Sequence, residues 1–441
     1  MPNVLCIAYL FPPRAGVGVQ RITKFVRYLP DHGWRPIVLT VSKPHGSFPL
    51  DYSYLREIPK SVIVEKAPSL EPYHFYRMLG GRKRQDSADF RQTLDGGGNL
   101  GFGGKIYSAL QSAFLIPDPK IGWFLLAMKK AREIFRKYKI DLILSTSPEA
   151  TDHVIARALA RELKVPWVMD FRDPWTTSLY SIKRPYWAKR KEEELELSCL
   201  IEASAISVVQ PRYMDEYIDK YPILDSHSDK FHVLPNGFDP GDIEKIDPRK
   251  FSRWTLVYTG SISYPRNPEP FLRGWKLACE KSSEFKNNAG CLFMGEFNSR
   301  FHEMAPGFIA QGLETEGFKE RGDVYSAQLG SGALLLLSEG YVTGKAYEYL
   351  AAKKPILAIT DGTDLAELVL RSRSGAVISP SKINKIADTL ITLYENRNVS
   401  FEPDKDFLAK YDRRKITADL ASIFNGLTNR KRKESSRAES G

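Results

Sequence analysis

The four cysteines, Cys6, Cys199, Cys279 and Cys291, contain no CxxC pair and stand in apolar or helical stretches. That excludes a zinc-finger or dithiol redox motif and predicts reduced thiols in the core. Also missing is any uninterrupted apolar run of the roughly 20 residues that a membrane-spanning helix needs. Met1 to Leu10 has neither the basic flank nor the cleavage site of a signal peptide, so the chain is expected to stay in the cytoplasm. No metal-ligand spacing is visible, and no metal site is expected. A net charge of +11 favours an anionic partner: nucleotide phosphates, a phospholipid surface or nucleic acid. With no helix-turn-helix, RRM or zinc pattern in the chain, nucleic acid is not the expected one.

A further absence decides the reading of the first motif. Val4–Leu10 reads as an apolar strand, followed by FPPRAGVGVQR, a helix with Ile22, Phe25, Val26 and Leu29 on one face, and a second strand over Pro36–Val41. Gly16 and Gly18 have the spacing of a dinucleotide fingerprint, but Arg21 stands where the third glycine belongs, and the second strand ends without a carboxylate for a ribose. A nicotinamide or flavin site is therefore excluded, while the glycines still permit close approach of backbone to a ligand.

At 441 residues the chain is long enough for two domains. Tyr76–Lys105, with GGRKRQ, DGGG and GFGG and few apolar residues, reads as a long excursion. Leu142–Ser145 is a strand leading into STSPEATDH, and Trp167–Phe171 is another that ends in DFRDPW. Asp170, Arg172 and Asp173 thus lie at a strand's carboxyl end, where sheets of this kind place chemistry; alternatively Arg172 pairs with a neighbouring carboxylate to brace the loop. Pro185–Ala205 reads as a long helix whose start, KRPYWAKRK, sets Tyr186 and Trp187 among five cations. Such a mixture suits an anionic membrane interface, or else a solvated helix end whose aromatics pack inward. LPNGFDP reads as a turn at the domain junction.

A second alternating β and α series begins at Trp254–Tyr258, and Ala333–Ile359 within it reads as strand, glycine turn, helix and strand. Leu334–Leu337 has no polar alternation, as in a strand buried on both faces. Gly340 and Gly344 turn the chain. Thr343 and Gly344 fall at the helix start, where free N–H groups and the positive end of the helix dipole favour an anion. Lys345 and Glu348 share a face of the first turns, either flanking that anion or forming a plain surface ion pair. Arg266, in the loop after this domain's first strand, can reach the same crevice. A Walker loop fails here: Gly340 to Lys345 is one residue short, and Ala346 occupies the place of the magnesium-binding hydroxyl.

Taken in order, FPPRAGVGVQR, LPNGFDP, VYTGSI with Arg266, and EGYVTGKAYEYLAAKKPIL resemble the GT-B glycosyltransferases, most closely the retaining glycosyltransferase family four. In the middle, IPDPKIGW, STSPEA and DFRDPW resemble a bacterial branch of that family linked to surface polysaccharides. The resemblance covers most of the chain and implies an α/β protein of GT-B architecture, two doubly wound Rossmann-like domains facing across a cleft. It implies an acceptor-side domain at 1–238, a donor domain at 239–404 and a helix at 405–427 packing back towards the first domain; the polar segment 428–441 reads from its composition as a disordered basic tail. The implied activity is retaining transfer of a sugar from a nucleotide-diphosphate sugar to a sugar or lipid-linked acceptor, in polysaccharide or glycolipid assembly. Neither a cofactor nor a metal is implied, and the protein is expected to be cytoplasmic, peripheral on the inner face of the cytoplasmic membrane.

Residue by residue, Glu348 resembles the family's ribose-binding glutamate, and Lys345 and Arg266 its diphosphate-binding cations beside the helix start at Thr343 and Gly344. Glu339 resembles the first glutamate of the pair, near the transferred sugar, although it precedes Glu348 by nine positions where the family pattern has eight. Gly16 and Gly18 match the glycine loop that approaches the donor phosphates. Ser261 follows Gly260 where the family often has a basic residue. Asp173 follows a strand of the first domain and is assigned to the acceptor side. Two rivals share the fold: a non-hydrolysing nucleotide-sugar epimerase, and a nucleotide-sugar-binding protein with a degenerate catalytic site.

Overall fold

The computed structural model describes residues 1–14, 17–42, 50–70, 102–178, 181–263, 266–338 and 342–439. The chain forms two compact units, Met1–Asn236 with Ile416–Gly441, and Gly237–Lys415.

The first unit is built on a seven-stranded, wholly parallel sheet of β1 (Asn3–Ile7), β2 (Arg35–Val41), β3 (Ile63–Ala67), β4 (Leu142–Thr146), β5 (Trp167–Phe171), β6 (Ala205–Val208) and β7 (Phe231–Val233), in the order 3-2-1-4-5-6-7. Strands β1, β4 and β5 are buried along their whole length, which is why their sequences are mostly apolar without polar alternation: helices cover both faces. The helices that matter below are α1 (Val17–Tyr28), α2 (Phe102–Phe114), α3 (Ala150–Leu163) and α4 (Tyr186–Glu202). Because β2 lies on one side of β1 and β4 on the other, the strand order reverses between β1 and β4, and the loops that follow them flank a crevice at the sheet's carboxyl edge.

Beneath that edge runs a buried brace. Arg21 of α1 is 1% exposed, and its guanidinium donates to both carboxylate oxygens of Asp170 at the end of β5, with Nη2 to Oδ1 at 2.7 Å. It also donates to the carbonyls of Leu234 and Pro235 at 2.9 and 3.0 Å, tying α1 and β5 to the segment after β7. Ser207 and Thr146 donate their hydroxyls to the same carboxylate at 2.5 and 2.8 Å. Burial alone would raise the Asp170 pKa, but the Arg21 charge and these hydrogen bonds hold it below the usual carboxylate range. The residue that breaks the dinucleotide fingerprint is thus an internal structural cation, and Asp170 is its counter-ion rather than a reactive group.

The second unit repeats the plan with six parallel strands, β8 (Trp254–Thr259), β9 (Ala289–Met294), β10 (Leu313–Glu316), β11 (Ala333–Leu337), β12 (Ile356–Ile359) and β13 (Gly375–Ile378), in the order 10-9-8-11-12-13. Its reversal falls between β8 and β11. The helices α5 (Arg321–Gly330) and α6 (Gly344–Ala352) border that point.

The last helix, α7 (Arg413–Glu439), returns the chain to the first unit. Ile416, Leu420, Ala421 and Phe424 recur at helical spacing and join a core containing Val4, Phe25 and Trp34. Trp34 meets Phe424 edge to face at 5.1 Å and donates its indole N–H to Asn425 at 3.0 Å. Residues 428–439 continue this helix. A nucleated helix propagates cheaply, and Lys, Arg, Glu and Ala extend it without a core of their own.

Candidate functional site

The clearest site in the second unit forms where β8 and β11 part. Thr259 ends β8, and its backbone N–H donates to the phenol of Tyr349 on α6 at 2.8 Å, while Gln328 of α5 donates to the Thr259 hydroxyl at 3.0 Å. These buried bonds pin α6 and α5 against the end of β8. Gly260 follows with φ +109°, a conformation for glycine, and a Cβ there would stand 2.8 Å from Lys345 Nζ. The absent side chain is the space that the ammonium group occupies.

Lys345 is the second residue of α6, after the N-cap position at Thr343. Its stem is part-exposed, but Nζ is buried, has no hydrogen-bond partner and lies 4.0 Å from the centroid of the Tyr258 ring. A cation–π contact of this kind recovers only part of the hydration an ammonium gives up. Burial first, and then the positive charge of Arg266, push its pKa well below the lysine range, with Glu348 opposing. Among the described residues, Glu348 is the one carboxylate that opposes these two cations. The plain surface ion pair between Lys345 and Glu348 does not form.

Arg266 donates to the carbonyl of Ser261 at 3.3 Å, and the Tyr258 hydroxyl donates to the same carbonyl at 2.9 Å, so the loop after β8 carries the second cation towards the first. Glu348, one turn beyond Lys345, lies within electrostatic reach of Lys345 and of the buried Tyr325 phenol on α5. Tyr325 in turn accepts from Arg321 at 3.0 Å, and Arg321 pairs with Asp242. Thr343, Gly344, Lys345, Glu348 and Arg266 are thus brought together. Tyr258, Tyr349 and Tyr325, which place them, were not singled out from the sequence; the only local sign is the position of Tyr258 two residues before Gly260. Glu339 lies outside the described residues.

In the first unit the loops after β1, β4 and β5 converge on their own reversal point. A Cβ on Gly18 would stand 2.8 Å from the Arg172 guanidinium, so this glycine makes room for a side chain of the DFRDPW loop. Arg172 Nε donates to Asp173 at 2.9 Å, and the Arg172 backbone N–H donates to Ser147 at 2.8 Å. The bracing pair anticipated for Arg172 is therefore formed with Asp173, whose side chain remains about one-third exposed at 32%. Gly16 lies outside the described residues. Nearby, Asp152 at the start of α3 is buried, accepts the Tyr9 N–H at 2.9 Å and keeps Oδ1 unpartnered. Burial first, and then the charges of Glu149 and Asp118, raise its pKa well above the usual carboxylate value.

Among the described residues no helix is long and apolar enough to cross a membrane. Comparison with curated protein sequences gives no match. Solved structures with the same fold include sucrose-phosphate synthase from Thermosynechococcus elongatus, with a TM-score of 0.62 at 11% identity over 97% of this chain and 99% of that one. HepE of Anabaena, in complex with UDP, gives a TM-score of 0.60 at 12% identity over 97% and 100% of the two chains. WaaG, a glycosyltransferase involved in lipopolysaccharide biosynthesis, gives 0.56 at 12% identity over 96% and 100%. Identities this low establish a shared fold, the GT-B pairing of two Rossmann-like domains. Residues 18–242 match the model of Glycosyltransferase Family 4, and to that family this chain belongs.

Proposed function

We propose that the protein is a retaining glycosyltransferase that moves a sugar from a nucleotide-diphosphate sugar to a sugar or lipid-linked acceptor, in the cytoplasmic assembly of a surface polysaccharide or glycolipid. One observation carries this reading: the buried, unpartnered Lys345 ammonium at the start of α6, beside Arg266 and Glu348. A diphosphate satisfies that arrangement. Its oxygens accept from Lys345, Arg266 and the backbone N–H groups of Gly344 and Lys345 at the helix start, and Glu348 accepts from the ribose hydroxyls. The UDP bound to HepE and the lipopolysaccharide role of WaaG support the same class of donor and product.

The chemistry follows from the charges. As the bond from the anomeric carbon to phosphate oxygen breaks, its electron pair goes to the diphosphate. Cations already fixed in place then stabilise the transition state more than the ground state. In this reading the protein's own cations neutralise the leaving group and no metal is needed, so transfer should persist in EDTA at full rate; a loss restored by magnesium or manganese argues against it.

The direct test is binding. Glu348→Ala should weaken nucleoside diphosphate affinity by about 1.5 to 3 kcal/mol, roughly ten- to a hundredfold, because a charge-assisted contact to two hydroxyls is removed. Calorimetry against UDP, GDP, dTDP and CMP identifies the base and measures the loss. Unchanged affinity would remove Glu348 from the ribose site.

A further inference from the structure

Two helix ends of the first unit meet at the surface and present apolar side chains to solvent. On α2, Leu110 and Phe114, one helical turn apart, are 53% and 68% exposed; at the start of α4, Tyr186 and Trp187 are 76% and 45% exposed. Phe114 and Trp187 touch, with ring centroids 5.8 Å apart. The alternative in which these aromatics pack inward is therefore not the one the chain adopts.

The patch has a rigid base. Arg184, whose side chain is 1% exposed, donates to the carbonyls of Ser112, Leu115 and Pro117 at 2.9, 3.0 and 2.6 Å, and to the Glu192 carboxylate at 2.6 Å. One buried guanidinium thus locks the end of α2 to the start of α4. Cations surround the aromatic residues. Lys189 and Arg190 are each 61% exposed and only loosely paired, at 3.8 Å from Glu193 and Glu194, and Lys191 lies 5.5 Å from the centre of the Trp187 ring.

The geometry points to this face as a docking surface for acidic phospholipid. Aromatic rings with one apolar and one wet edge settle at the headgroup level of a bilayer, and nearby lysine and arginine side chains are drawn to its negative surface. Lys189 and Arg190 hold their glutamate partners only at 3.8 Å, and acidic headgroups offer them closer ones, which a neutral or purely apolar partner does not. The inference goes beyond the donor-site reading and does not depend on it, since none of these residues lies in the second unit.

The full chain should sediment with vesicles of equal parts phosphatidylglycerol and phosphatidylcholine, much less with phosphatidylcholine alone, and recovery should fall as salt is raised. Lys189→Gln, Arg190→Gln and Lys191→Gln combined should weaken binding by about fivefold per charge removed, on the order of a hundredfold in all. Trp187→Ala with Phe114→Ala should weaken it too. Thermal stabilisation by a nucleoside diphosphate should be the same in all variants, which separates failure of this surface from failure of the donor site. Equal recovery on both vesicle types, no recovery on either, or an unaltered triple variant overturns the proposal. So does a dimer in the absence of lipid that Trp187→Ala converts to monomer, because the face then joins two copies of the chain.

Discussion

Lys345→Ala is expected to lower both glycosyl transfer and the slow hydrolysis of the donor by water by about a hundredfold or more, since both reactions expel the same diphosphate. The size of the effect follows from the setting of the ammonium group. Its Nζ is buried without a hydrogen-bond partner, and its pKa is pushed well below the lysine range by burial and by Arg266. An arriving diphosphate supplies the missing negative charge and raises that pKa again. Between the pKa of the free lysine and the higher pKa of the liganded one, binding to the wild type should therefore be accompanied by proton uptake, and affinity should decline as pH rises through the pKa of the liganded lysine. Calorimetry in buffers of different ionisation enthalpy reads the uptake directly, and Lys345→Ala should abolish it. Asp173→Asn should differ, lowering transfer while sparing nucleotide binding and donor hydrolysis, because Asp173 is proposed to serve the acceptor. If Lys345→Ala loses transfer alone, or Asp173→Asn loses nucleotide binding, the division of roles between the two residues is wrong.

Asp170→Asn is expected to cost the first unit about 3 to 5 kcal/mol, because it leaves the Arg21 guanidinium buried without its counter-charge. Arg21 and Asp170 are 1% and 0% exposed, so water cannot substitute. The same pair predicts a pH dependence. The folded carboxyl titrates below its usual range, so its contribution is fully present above the unfolded value near 3.9 and is lost as pH falls through the folded value. Urea unfolding followed from neutral pH down to about pH 3 should show a steeper decline in the wild type than in Asp170→Asn, the difference setting in below about pH 4. A variant within about 1 kcal/mol of wild type at neutral pH would show that the Arg21 carbonyl contacts suffice without the charge pair.

Much of the fold was legible because fully buried parallel strands carry an unmistakable pattern. Val4 to Ile7 and Leu334 to Leu337 are continuous apolar runs, Trp167 to Phe171 is apolar but for Asp170, and each is a strand. The edge strands β3, β7, β10 and β13 carry no such pattern and do not follow from the sequence. Four of the five residues of Ile63–Ala67 are only partly buried or exposed, as are three of the four of Gly375–Ile378, so their sequences carry no comparable signal.

Within the candidate site, the sequence by itself determined the residue types: a glycine turn, a helix start at Thr343 and Gly344, a lysine and a glutamate on one face, and an arginine after the preceding strand. These are local consequences of spacing, and spacing is written in the chain. Tertiary structure alone decided what surrounds them. That Gly260 leaves space for Lys345, that Tyr258 lies under its ammonium group and that Tyr349 pins the helix to β8 depend on residues roughly 90 positions apart meeting across a parallel sheet, whose pairings no local pattern encodes. In the same way the DFRDPW motif did not distinguish its two aspartates. Folding buried Asp170 against Arg21 and left Asp173 near the surface, because only the first points down into the layer between sheet and helix.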